Sequence, residues 1–371
     1  MATNEVDELR HAVRDFLAIA SPSSRVRELM DTDRGFDDAT WRQMATELGL
    51  HGIAVPEEFG GAGAGMAELV VVFEEMGAAL LCAPFLSTVG LAAQALLCSG
   101  DTAAMRDFLP GIVDGSLTAT LVLNGRLQPW DPQAVTLTAR GGRISGEAAQ
   151  VLDGHTANVV LVVAISENGP SLFAVEGDAD GLTRTALATL DRTRKVARLN
   201  FDDVPARLIG AEGDAAAGLA RTSDLALVAL AAEQVGAAQR CLDMAVGYAK
   251  ERIQFGRTIG SFQAVKHRCA DMLVAVEGAR SAATRAAKVA DGPELSMTAA
   301  VAKMACSEAL LQAALDNMRI HGGIGFTWEH DAHLYVRRAK ASQLIFGSPD
   351  HHAERLAALV TSSSHQPEGR S

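Results

Sequence analysis

The chain has 371 residues, 48% hydrophobic and 21% charged, enough apolar material for cores in two or three domains and no sign of wholesale disorder. Lys and Arg total 33 against 45 Asp and Glu, and the net charge of -12 excludes nonspecific nucleic-acid binding, which needs a basic footprint. Aromatics are only 5% while Ala dominates long stretches, which favours helix packed on helix over a β-sandwich.

The first ten residues carry acids where a secretion signal carries bases, and no apolar stretch follows, so a cytoplasmic location is expected. Residues 1–117 read as a helical domain. Residues 41–50 have helical apolar spacing and are stopped by Gly49 and Gly52. Residues 55–63 form a glycine loop. The next predicted helix, residues 67–79, sets Glu68, Glu74 and Glu75 against Leu69, Val72, Phe73 and Met76. Residues 77–100 carry no charge over a length that would cross a bilayer. Pro84, Ser87, Thr88 and Gln94 instead favour two buried helices broken at Ala83–Pro84, and no membrane association is expected.

Residues 118–208 change period and read as a β-domain. Strands are predicted around residues 136–139, 158–164, 171–175 and 196–201, with turns at Gly141–Gly142, Gly154 and Asn168–Gly169. Residues 209–362 return to helix. Ala-rich segments at 219–251, 261–290 and 295–320 imply an antiparallel bundle, with a last helix at 351–361 and a disordered tail at 363–371. Cys82, Cys98, Cys241, Cys269 and Cys306 sit in apolar helical contexts without a CxxC pair and read as reduced core residues. His330 and His333 have i,i+3 spacing, but no further ligands lie nearby in the chain, so no metal is expected.

Three motifs in order carry a family resemblance. They are Leu48-Gly-Leu-His-Gly-Ile-Ala-Val-Pro-Glu-Glu-Phe-Gly-Gly-Ala-Gly63, then Arg252-Ile-Gln-Phe-Gly256 with Ile259-Gly-Ser-Phe-Gln263, then Ile320-His-Gly-Gly-Ile-Gly-Phe326. With the order helical domain, β-domain, four-helix bundle, the chain resembles the acyl-CoA dehydrogenases, an α+β fold that is mostly α. The resemblance implies FAD at a subunit interface, a dimer or dimer of dimers (homomeric or heteromeric), and an electron acceptor such as an electron-transfer flavoprotein. It implies α,β-desaturation of an acyl-CoA thioester, with a carboxylate taking the α-proton and hydride passing to the flavin. It further implies that Arg252, Phe255, Gly256 and Gln263 reach a neighbour's FAD, and that Arg319, Gly322, Gly323 and Ser348 contribute contacts.

The departures from the family pattern matter equally. Phe346 stands where the family's catalytic glutamate precedes a Gly-Ser pair, and Ala226 occupies the alternative base position on the first bundle helix. Phenylalanine and alanine accept no proton. Glu233, two helical turns beyond Ala226 in an apolar run, is the remaining candidate base, expected in apolar surroundings that would raise its pKa. The alternative reading is a hydrogen-bonded core acid. Residues 121–128 and 151–155 lack the family's ring-holding segments, with Asn124 and Asp153 as possible substitutes, and Leu227 replaces a bundle arginine. Arg337–Arg338 reads as a CoA-phosphate contact or a solvated or interchain ion-pair site. Two functions follow from the resemblance: an active dehydrogenase, or a non-catalytic subunit that completes a partner's FAD site, as in bacterial heterotetramers acting on steroid side-chain thioesters. Another oxidative flavoenzyme on the same fold is a further alternative.

Overall fold

The computed structural model describes residues 3–363, so the predicted tail beyond Ser363 lies outside the described residues. Six helices come first: α1 Thr3–Ala20, α2 Ser23–Leu29, α3 Asp38–Thr46, α4 Met66–Ala78, α5 Ala93–Ser99 and α6 Thr102–Val113. Their boundaries follow local chemistry. Asp37 caps α3 by accepting from the Ala39 amide, and Asp101 caps α6 by accepting from Ala103 and Ala104. Glu68 reaches back 2.9 Å to the Gly65 amide at the start of α4.

The uncharged stretch at 77–100 breaks earlier than predicted. Helix α4 ends at Ala78, Leu80 takes φ 48, and the chain resumes as a π-helical stretch, Leu86–Ala92, that runs into α5. Ser87 and Thr88 are wholly buried there but hydrogen-bonded, Thr88 Oγ1 donating to Ala119 O at 2.9 Å. No described helix is long and apolar enough to cross a membrane.

The middle segment forms an eight-stranded sheet from β1 Ala119–Val122, β2 Thr138–Arg140, β3 Arg143–Leu152, β4 Val159–Ser166, β5 Gly169–Glu176, β6 Leu182–Ala186, β7 Val196–Pro205 and β8 Arg207–Ile209. Its order is β6-β7-β3-β2-β4-β5-β8, with β1 running parallel beside β4. Strand β4 is buried on both faces over Val159–Ala164, which explains its continuous apolar run. The ten-residue β3 escaped the sequence reading. Register shifts against β7, one of them beside Gly146, interrupt the alternation that would have marked it.

The chain then returns to helix with α7 Ala216–Glu251, a short hairpin of β9 Ile253–Gln254 and β10 Arg257–Thr258, and α8 Gln263–Lys288, α9 Leu295–His321, α10 Ala332–Leu344 and α11 Pro349–Ser363. Helix α7 is the central strut, with its middle buried without interruption from Thr222 to Ala238. It crosses α4 at two glycines. A Cβ on Gly77 would lie 1.9 Å from Glu233 O, and one on Gly236 would lie 1.7 Å from Glu74 O. Backbone presses on backbone here, and this contact sets the depth at which Glu233 enters the core.

Gly77→Ala should therefore destabilise the chain by about 2 kcal/mol or more, because overpacking against backbone cannot be relieved by a rotamer change. Gly278→Ala, in α8 with nothing within 4 Å of the added carbon, should be neutral or gain up to about 1 kcal/mol from helix propensity. Thermal melting of both variants checks this; equal effects would remove the crossing from its structural role.

Candidate functional site

Segments that the resemblance assigns to flavin and base do meet in the interior, but they leave little space. Leu152 and Asp153 at the end of β3, Arg194 between β6 and β7, Glu233 on α7 and Arg338 on α10 enclose about 20 Å3. Pockets that take a cofactor-sized ligand run roughly 300–1,000 Å3. The space these side chains enclose is smaller than a flavin ring.

Charge fills the place instead. Both Arg194 and Arg338 donate to Glu233 Oε1, and all three side chains are under 10% exposed. Arg338 Nε also donates to Asp191 Oδ2 at 2.7 Å, and its Nη2 to Thr193 Oγ1 at 2.5 Å. Asp191 in turn accepts from the Thr193 amide and hydroxyl. The apolar surroundings expected for Glu233 are thus replaced by two guanidiniums, both of which donate to its Oε1. Arg338 is likewise corrected: it is a buried intrachain ion-pair member, while the adjacent Arg337 lies over Trp328 at 4.8 Å and donates to Leu190 O. Sequence reading missed Asp191, Thr193 and Arg194. The signal available was Glu233 itself, since a carboxylate inside an apolar helix obliges a buried cation somewhere in the fold.

Asp153 completes the cluster. It accepts a 2.7 Å hydrogen bond from Ser87 Oγ, and burial pushes its pKa up to about 6. The cations nearest Asp153 are Arg194, Lys195 and Arg338, and their field opposes the effect of burial without cancelling it. Asn124, the other possible substitute for a ring contact, is turned inward, with Nδ2 donating to Pro129 O at 2.8 Å.

The position that the resemblance assigns to the base is closed as well. Phe346 is 3% exposed, belongs to the same apolar core as Leu152, Ala226 and Leu227, and is held at φ 59. Its amide donates to Leu127 O at 2.9 Å, and His352 Nε2 donates to its carbonyl at 2.8 Å. Buried Lys303 donates to Ser342 O and Gln343 O at the end of α10, which fixes the start of this turn; burial pulls its pKa down to about 7. Ser348 Oγ accepts from the His351 amide at 3.3 Å and so caps α11.

The residues that would serve a neighbour lie outside. Phe255 and Gly256 form the two-residue turn of the β9–β10 hairpin, with φ 52 and 76, and Phe255 is 91% exposed. Arg252 ends α7, and Gln263 begins α8; both are exposed. Gly322 and Gly323 begin a 3-10 turn after α9, whose Phe326 is 66% exposed. Arg319 is drawn back to Asp316 at 3.0 Å. The cysteines are free, and no group of three metal-ligating side chains occurs among the described residues.

Comparisons with known proteins agree with this architecture. A family model described as the acyl-CoA dehydrogenase N-terminal domain matches residues 3–116, and one described as the C-terminal domain matches residues 224–360. A Mycobacterium tuberculosis protein named acyl-CoA dehydrogenase IpdE2 is 37% identical over 358 residues, covering 96% of this chain and 97% of that protein. The chain belongs to the acyl-CoA dehydrogenase family. Two solved structures are also similar to this acyl-CoA dehydrogenase family member. One, a variant of the Tcur3481-Tcur3483 steroid ACAD, has a TM-score of 0.88 at 33% identity, covering 98% of this chain and 99% of that one. The ChsE4-ChsE5 complex from Mycobacterium tuberculosis has a TM-score of 0.87 at 29% identity, covering 99% of both chains.

The raised pKa of Asp153 gives a pH-dependent prediction. Its ordinary value is 3.8 and its folded value about 6, so the folded chain holds the proton more tightly. That stability is full below the ordinary value and is lost as pH rises through about 6. Asp153→Asn mimics the protonated form and tolerates the φ of 50 at this position. It should raise stability by roughly 1–2 kcal/mol at neutral pH and by nothing near pH 4. Melting curves at both pH values decide it; an equal gain at each would assign the effect to something other than the proton.

Proposed function

We propose that this chain is one subunit of a heteromeric FAD-dependent acyl-CoA dehydrogenase, and that it completes a partner's flavin site while running no chemistry in its own interior. The observation that carries the reading is the contrast between inside and outside. Phe346 and the Glu233–Arg194–Arg338 cluster fill the interior down to about 20 Å3, whereas Phe255 stands 91% exposed on its hairpin. An exposed phenylalanine in the left-handed region is doubly unfavourable for an isolated chain, which is consistent with a ligand or subunit covering it.

In that assembly FAD supplies hydride acceptance, and this chain supplies contacts. Arg252 offers a planar guanidinium suited to paired phosphate oxygens. Phe255 offers an apolar face, and Gln263 a side-chain amide. The base belongs to the partner, because Glu233 is committed to two cations here. Two relatives, the ChsE4-ChsE5 complex and the steroid ACAD, support a heteromer acting on a bulky thioester.

Purified alone, the chain should carry well under one FAD per subunit, and co-expression with its partner should restore flavin absorbance to the complex. Arg252→Ala and Phe255→Ala in that complex should each weaken flavin retention about 10-fold, equivalent to roughly 1.4 kcal/mol, with the melting temperature of the lone chain unchanged. A lone chain holding one tight FAD that an acyl-CoA bleaches would overturn the proposal. Glu233→Gln separates the two roles of that residue. As a cluster member its loss should cost about 3–5 kcal/mol of stability by leaving two guanidiniums undercompensated; a fully stable variant with abolished turnover would instead make Glu233 the base.

A further inference from the structure

A second cavity lies on the opposite face of α4 from the sealed one. Phe73 and Met76 line the sealed interior, whereas Glu74, Glu75 and Ala78 line this one, which holds about 860 Å3. That volume is in the range of small-molecule sites, roughly 300–1,000 Å3. Its floor is apolar: Leu17 of α1, Val26 of α2, Leu80 beyond α4 and Leu334 of α10 all line it and are 2–3% exposed. Leu80 holds the left-handed φ of 48 at this wall, a strained conformation that its surroundings must over-determine.

The rim is charged, and nearly all of it is internally cancelled. Arg10 and Arg14 pair with Glu75 at 3.0 and 2.9 Å, Arg280 pairs with Glu74, and Arg27 pairs with Asp331 at 2.7 Å. Asp243 accepts from the Gln239 amide at 2.8 Å and faces the field of Arg14. Arg240 is different. It lines the cavity from the exposed side of α7, forms no ion pair with a carboxylate among the described residues, and has the Tyr335 hydroxyl as its polar neighbour. Tyr335 is 5% exposed and its hydroxyl donates to Ala78 O at 2.7 Å. An apolar floor thus ends at one guanidinium that contacts no carboxylate among the described residues, the nearby Asp243 being engaged by Gln239 and Glu277 by Arg280 at 3.3 Å.

We propose that this cavity binds an amphipathic monoanion, with an acyl chain on the Leu17–Leu334 floor and its carboxylate on Arg240. Guanidinium–carboxylate pairing beside an apolar surface is the strong, oriented form of such a contact. The site is separate from the flavin-facing hairpin and does not depend on how that hairpin is used.

The test uses the full-length chain, with the fluorescent anion 1-anilinonaphthalene-8-sulfonate as probe and dodecanoate or dodecyltrimethylammonium as competitor, all below micellar concentration. Dodecanoate should displace the probe and the cationic amphiphile of equal length should not. Arg240→Gln, a change on an exposed helix surface, should weaken dodecanoate about 10-fold. Ala18→Trp, at the exposed mouth, should abolish displacement with the circular dichroism spectrum retained. Equal displacement by both amphiphiles, or unchanged dodecanoate affinity in Arg240→Gln, would overturn the proposal, whatever the fate of the tryptophan variant.

Discussion

Carrying a carboxylate into a protein core is costly unless counter-charge and hydrogen bonds meet it there, and the fold of this chain is organised around meeting that demand at Glu233. The two guanidiniums come from different segments: Arg194 from the loop between β6 and β7, and Arg338 from α10. Asp191 and Thr193 brace Arg338 from the same loop, while Ser87, in the π-helical stretch, holds Asp153 beside them. One cluster therefore ties the N-terminal helices, the sheet and the bundle together. Removing Glu233, Arg194 or Arg338 leaves its partners buried without their counter-charge, so the relative placement of all three segments is coupled to the cluster. The glycine crossing of α4 and α7 acts with it, because backbone contact at Gly77 and Gly236 fixes how deep Glu233 sits.

The same arrangement keeps the interior between sheet and bundle closely packed. A cavity emptied of ligand would lose dispersion contacts along its whole lining. Here Phe346, the charge cluster and the loop around Leu127 take up that volume, and buried Lys303 pins the helix end from which the Phe346 turn departs. Phe346 and Phe255 make an instructive pair. Both are phenylalanines in the left-handed region, φ 59 and φ 52, yet one is sealed in the core and the other projects into solvent. Strain of this kind survives only where surroundings over-determine it. For Phe346 those surroundings are intrachain hydrogen bonds and packing; for Phe255 the hairpin supplies the backbone, and the covering group belongs to another molecule in the proposed assembly.

Much of the architecture was legible in the chain itself. Alanine-rich periodic runs marked α7, α8 and α9 to within a few residues, because long helices repeat one pattern many times. The continuous apolar run of β4 also announced itself. Strand β3 did not, since its pairing with β7 shifts register beside Gly146 and the alternation slips with it. The π-helical stretch at Leu86–Ala92 was hidden for a different reason: nothing in the order Leu-Ser-Thr-Val-Gly-Leu-Ala separates a π turn from an α turn, and the stretch packs against β1 and α7.

For the functional residues the division is sharper. Residue type alone showed that Phe346 and Ala226 accept no proton, and the motif around Arg252, Phe255 and Gln263 showed which side chains a neighbour could use, because those conclusions need only identity and spacing. The fate of Glu233 was beyond reach. Arg194 lies 39 positions and Arg338 lies 105 positions away along the chain, and no local pattern encodes a pairing over such separations. Whether a lone acid in an apolar helix becomes a base or a counter-ion depends on which charges the tertiary fold delivers to it, and Coulomb interactions at contact distance in a dry core decide that outcome only after the chain has folded.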